Sequence, residues 1–131
     1  MILVEWAQFR DGYQTGICYQ RATQPDHPLL IFLHDSRWYG QQFDLLFPRL
    51  VDYGNLLAPN LRGHGPLAAH RGEIDYIGQF EDDIADLIDL YARPGQKVVL
   101  AGHSSGGGLA IRFLAEKYRH KVQSVILKRL A

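Results

Sequence analysis

The stretch Lys97-Val98-Val99-Leu100-Ala101-Gly102-His103-Ser104-Ser105-Gly106-Gly107-Gly108-Leu109-Ala110-Ile111 decides the fold. Lys97 to Ala101 reads as a buried-type strand, as in a parallel strand covered on both faces. A glycine-serine turn follows, and then helical text that runs through Tyr118. Strand, Gly102-x-Ser104-x-Gly106 and helix form the context that gives this pattern a chemical meaning. The flanking glycines lack Cβ atoms, so strand and helix can approach closely while the serine sits on a strained turn. Its hydroxyl stands at the carboxyl end of the strand, where open α/β sheets bind ligands. The helix that begins there aims its free N–H groups and positive dipole end at the same spot. Ser104 is therefore placed as a nucleophile, and the backbone N–H of Ser105 as an oxyanion donor. A phosphate loop is the competing reading of the glycines, but no Lys-Ser or Lys-Thr follows Gly108.

Upstream of this turn, Ile77, Phe80, Ile84, Leu87, Ile88 and Tyr91 predict one apolar stripe of a helix that Pro94-Gly95 stops. Asp82, Asp83, Asp86 and Asp89 fall mostly off that stripe and read as a solvated face rather than a metal site. Further back, Leu29 to Leu33 is a second buried-type strand and Asn55 to Pro59 a third. Between them Phe43, Leu46, Phe47, Leu50 and Val51 keep a helical period, with Pro48 inside it predicting a kink or an irregular first half. Ile2 to Phe9 and Gly16 to Ala22, separated by Asp11-Gly12, read as an antiparallel hairpin. Val122 to Leu127 is the last strand. The order is β-β-β-α-β-α-β-α-β. It predicts an α/β fold: a mostly parallel sheet with an antiparallel N-terminal hairpin and helices on both faces, in a single domain over residues 1–131.

Bulk properties narrow the function classes. Lys plus Arg and Asp plus Glu are 14 each, so no basic surplus argues for nucleic acid. The single cysteine, Cys18, cannot form an internal disulfide and reads as a small buried hydrophobe. With no secretory signal this fits a cytoplasmic setting. No apolar run approaches the ~18 residues of a membrane span. Gly63-His64-Gly65-Pro66-Leu67-Ala68 partly mimics a dinucleotide fingerprint, but Pro66 sits inside it and the helix begins several residues late. Gly108, within a helix, reads as a point of close helix–sheet packing.

Several segments together resemble the α/β-hydrolase superfamily of esterases, lipases and lysophospholipases. Leu29-Leu30-Ile31-Phe32-Leu33-His34-Asp35-Ser36 resembles its third strand and following loop, with Asp35 where the family usually has glycine. Asn60-Leu61-Arg62-Gly63-His64-Gly65 resembles its Asp-x-Arg-Gly-His-Gly loop after the fourth strand. Phe80-Glu81-Asp82-Asp83-Ile84-Ala85-Asp86-Leu87 resembles the helix before the nucleophile, and Gly102-His103-Ser104-Ser105-Gly106-Gly107 the nucleophile elbow itself. These segments occur in the family's order over essentially the whole chain, up to the sixth strand.

The resemblance implies a serine hydrolase of carboxylic esters, lysophospholipid-like acyl esters included, that needs no cofactor and no metal. Ser104 would be the nucleophile, and Ser105 and Ser36 the two backbone oxyanion donors. His34, Asp35, Trp38 and His103 would lie at the pocket, with Tyr39 at its rim and His64 in a neighbouring loop. In this family the triad acid and histidine follow the nucleophile, after the sixth or seventh strand and after the eighth. No Asp or Glu follows Glu116 and no His follows His120, which itself precedes the sixth strand and is expected at the far end of the sheet. The chain is thus expected to be the N-terminal portion of the core, a truncated α/β-hydrolase fold, inactive alone or completed by a C-terminal chain. The alternative is a non-catalytic remnant that self-associates or binds a partner through the open edge of its sixth strand.

Overall fold

A computed structural model describes residues 3–21, 26–34, 47–50, 52–63, 76–103, 105–115 and 118–128. Strands β1 (Leu3–Gln8) and β2 (Gln14–Gln20) form the expected antiparallel hairpin, with Leu3 opposite Tyr19 and Gln8 opposite Gln14. Strands β3 (Leu29–Leu33), β4 (Asn55–Pro59), β5 (Val98–His103) and β6 (Ser124–Lys128) are mutually parallel, and β2 joins them antiparallel to β4. Among the described residues the sheet order is β1-β2-β4-β3-β5-β6.

From β3 the chain crosses to β4 on one side, returns past β3 to β5, and continues outward to β6. Right-handed crossovers that step in opposite directions put their helices on opposite faces. Side-chain alternation agrees. Leu29, Ile31 and Leu33 pack with Ile84, Leu87 and Ile88 of α2 (Gln79–Tyr91) and with Leu109, Ala110 and Phe113 of α3 (Ser105–Ala115). On the other face Phe32 packs with Cys18, Leu56 and Ala58 of neighbouring strands and Phe47 of α1 (Phe47–Leu50). The carboxyl ends of β3 and β5 therefore flank the point where the strand order reverses, which is the ligand crevice of open α/β sheets.

Some sequence expectations change. Phe43, Leu46 and Val51 lie outside the described residues, and Pro48 lies within α1. Ile77 does not belong to the apolar stripe. It precedes α2 and is 98% exposed, while Ile84, Leu87 and Ile88 are buried. The acidic residues of α2 are not a solvated face. Asp82 and Asp83 are buried beside Glu81, and Asp89 stays exposed. They escape water because each buried carboxylate is paired: Tyr76 and Tyr118 donate to Asp82 at 2.6 Å each, and Arg62 grips Asp83.

Gly108 is also not a close-packing point among the described residues, where a Cβ would meet nothing nearer than the Arg112 Nη1 at 3.8 Å.

Candidate active site

Gly102 and Gly106 are the glycines that the turn requires. A Cβ on Gly102 would stand 2.5 Å from backbone atoms of Gly106 and Gly107. A Cβ on Gly106 would drive into the carbonyl of Leu33 and come within 2.7 Å of the His34 carbonyl. So β5 folds tightly onto the start of α3, and that start presses against the end of β3. The end of β3 and the glycine-rich start of α3 are thereby brought into contact at the reversal point of the sheet.

Ser105 opens the described part of α3, the end of a helix at which backbone N–H groups lack intrahelical partners. His103 ends β5, opposite Lys128 of β6 and partly buried. Ser104, Ser36, Asp35, Trp38, Tyr39 and His64 lie outside the described residues. His34 is fully buried, and its Nε2 accepts a 2.9 Å bond from the Leu61 backbone N–H. An accepting Nε2 assigns a neutral ring with its proton on Nδ1. The ring is a strut between the loops after β3 and β4. His120 sits in the 3-10 turn Arg119–Lys121, exposed, before β6. Because β5 and β6 are parallel, with Val99 opposite Ser124, that turn lies at the opposite end of the sheet from Ser105.

The structure adds a charged cluster that the sequence reading did not single out. Arg62, just after Leu61, makes a fork to Asp83, with Nε to Oδ2 at 2.8 Å and Nη2 to Oδ1 at 2.9 Å. The same guanidinium reaches Asp11 in the hairpin turn at 2.9 and 3.0 Å and lies 4.3 Å over the Tyr13 ring. Both partners of the central pair are only 6% exposed. Burial raises the Asp83 carboxyl from its ordinary 3.8 to about 6, although Arg62 pulls the other way. The Asp11 carboxyl is lowered, chiefly by its hydrogen bonds from Arg62. The hydrogen bonds to Asp83 and Asp11 raise Arg62, so it stays charged. The signal for this cluster was present as an arginine in a loop that leads to a helix with consecutive aspartates. Among the described residues no group of three or more His, Cys, Asp or Glu could hold a metal ion, and no helix is long and apolar enough to cross a membrane.

The family model for serine aminopeptidases, S33, matches residues 24–128, a span from the loop before β3 to the end of β6. The chain belongs to the S33 family of α/β hydrolases. Within this family the chain is similar to the proline iminopeptidase PfmaB of Pestalotiopsis fici, with 34% identity over 114 residues, covering 86% of this chain and 40% of that protein. It is also similar to the esterase PIR7B of Oryza sativa subsp. japonica, at 36% over 61 residues, covering 44% of this chain and 22% of that one. The fold matches the α/β hydrolase GrgF from Penicillium sp. sh18 with a TM-score of 0.83 at 19% identity, over 99% of this chain and 46% of that one. This S33 chain thus spans less than half the length of these relatives.

Proposed function

We propose that this chain carries the nucleophile and oxyanion hole of a serine hydrolase acting by acyl transfer on carboxylic esters, and that the triad acid and histidine come from polypeptide outside residues 1–131. The observation that carries the reading is the steric contact of Gly106 with the end of β3. It supports a turn in which Ser104, the Ser105 N–H and the loop bearing Ser36 converge on one crevice. In this reaction the Ser104 Oγ attacks the acyl carbon while a histidine base takes its proton. The Ser105 and Ser36 backbone N–H groups hold the developing oxyanion, and Asp35, Trp38 and His103 line the approach. The tetrahedral adduct collapses, the alcohol leaves with the proton from histidine, and water then releases the acid.

An S33 serine aminopeptidase model and a proline iminopeptidase relative make small peptide amides a second acyl substrate class for the same serine. The test is turnover of p-nitrophenyl esters and of a prolyl p-nitroanilide. The assay uses the chain alone and with a C-terminal segment that supplies an aspartate and a late histidine. Ester turnover by the complemented pair, abolished by Ser104→Ala, is expected. Turnover that survives Ser104→Ala would remove the serine from the mechanism.

A non-catalytic reading draws on β6, which ends the described sheet with Ile126 58% exposed. A strand there invites pairing with another chain. It predicts a concentration-dependent dimer in light scattering, which Ile126→Lys would dissolve.

A further inference from the structure

We infer that Arg62, through its fork on Asp83, is a positioning residue for His34 at the end of β3. In loop 60–63 each residue is tied to another part of the molecule. The Asn60 N–H donates to the Gly16 carbonyl, and its own carbonyl accepts from the Thr15 hydroxyl at 2.6 Å. The Leu61 N–H donates to His34 Nε2. The Arg62 side chain joins Asp83 of α2 and Asp11 of the hairpin turn. The Gly63 N–H donates to the Tyr13 hydroxyl at 2.9 Å, and Gly63 holds a φ of 76° that a side chain rarely adopts.

Within this set it is Arg62 that carries the fork to α2, at 2.8 and 2.9 Å. A planar guanidinium held at both ends of a carboxylate leaves its own backbone little freedom, which a flexible ammonium would not achieve. The neighbouring Leu61 N–H is thereby aimed at His34, and the His34 backbone carbonyl in turn faces Gly106. The chain of contacts runs from α2 through Arg62, Leu61 and His34 to the floor of the crevice. Arg62 acts through these contacts. It fixes the end of β3 from which the loop to Ser36 departs, and only this last link rests on the proposed function.

The test is a through-hydrogen-bond nitrogen–nitrogen coupling between Leu61 N and His34 Nε2, read by NMR on the full chain. The main variant is the double replacement Arg62→Met with Asp83→Leu, which removes both charges of the buried pair together and leaves Asp11 at the solvent-exposed hairpin turn. Loss of the coupling in a variant whose other amide resonances stay native is expected. An unchanged coupling overturns the inference, since a contribution to stability alone would leave the bond intact in the folded protein. If the double variant does not fold, Arg62→Lys decides. It keeps the charge without the fork, and a weakened coupling is expected, whereas a wild-type coupling overturns the inference. A second arm measures fluorophosphonate labelling of Ser104 in the complemented protein, where the variants should label at least tenfold more slowly. Equal rates overturn the link to Ser36. Absence of labelling in the wild type counts against Ser104 instead, and the NMR arm then judges the positioning role by itself.

Discussion

Gly106 and Gly108 lie two residues apart in the same helix and should respond oppositely to alanine. At Gly106 the added methyl meets backbone carbonyls that cannot move aside. Gly106→Ala is expected to cost about 3 kcal/mol or more by overpacking. At Gly108 the methyl makes an ordinary contact with the Arg112 side chain at 3.8 Å, so Gly108→Ala should stabilise the fold by about 0.5–1 kcal/mol. Urea midpoints of the two variants check both signs. At the same scale, Asp83 should titrate with a midpoint near 6 in a carboxyl-carbon NMR titration, because burial dominates its environment. A folded-state value above the unfolded one means that the folded state holds the extra proton. The Asp83 contribution to stability is therefore greatest below about pH 4 and falls as pH rises to about 6. Asp11 behaves in the opposite sense, and its contribution is lost as pH falls through its lowered value. An Asp83 midpoint at or below 4 would show that the guanidinium outweighs burial.

Among the elements, α2 departs most from its sequence reading. Its period placed Ile84, Leu87 and Ile88 correctly against the sheet, because a 3.6-residue repeat reports one face whatever the partner is. It failed at Ile77, which precedes the helix, and at Asp82 and Asp83, whose burial depends on partners far away in sequence. Arg62 stands 21 residues before Asp83 and Tyr118 stands 36 after Asp82. No local pattern encodes such pairings. The correction has a measurable form in thermal or urea unfolding. Ile84→Ala should cost about 2–5 kcal/mol as a buried truncation, whereas Ile77→Ser should change stability by less than about 0.5 kcal/mol. Removing the exposed contact of Lys121 with Asp89 should matter little beside the Arg62 pair, at under about 1 kcal/mol.

At the scale of the molecule, strand order converts separate sequence signals into one place. The hairpin, the parallel strands and their alternation with helices were legible because buried strands and amphipathic helices leave different periods. The reversal between β3 and β5 follows from topology and was not legible in either segment alone. It makes the end of β3 and the glycine turn after β5 neighbours, although about seventy residues of sequence separate them. His34 illustrates the limit of residue reading. Its place beside the crevice was expected, but its bond to Leu61 belongs to the register between β3 and β4.

The central claim is that this turn presents a nucleophilic serine. It is tested most directly by exposing the chain, with and without a complementing C-terminal segment, to a fluorophosphonate and locating the adduct by peptide mass spectrometry. The account predicts a single adduct on Ser104, strongly enhanced when the acid and histidine are supplied and absent in Ser104→Ala. An unmodified Ser104 under both conditions, or an adduct on another residue, would contradict it.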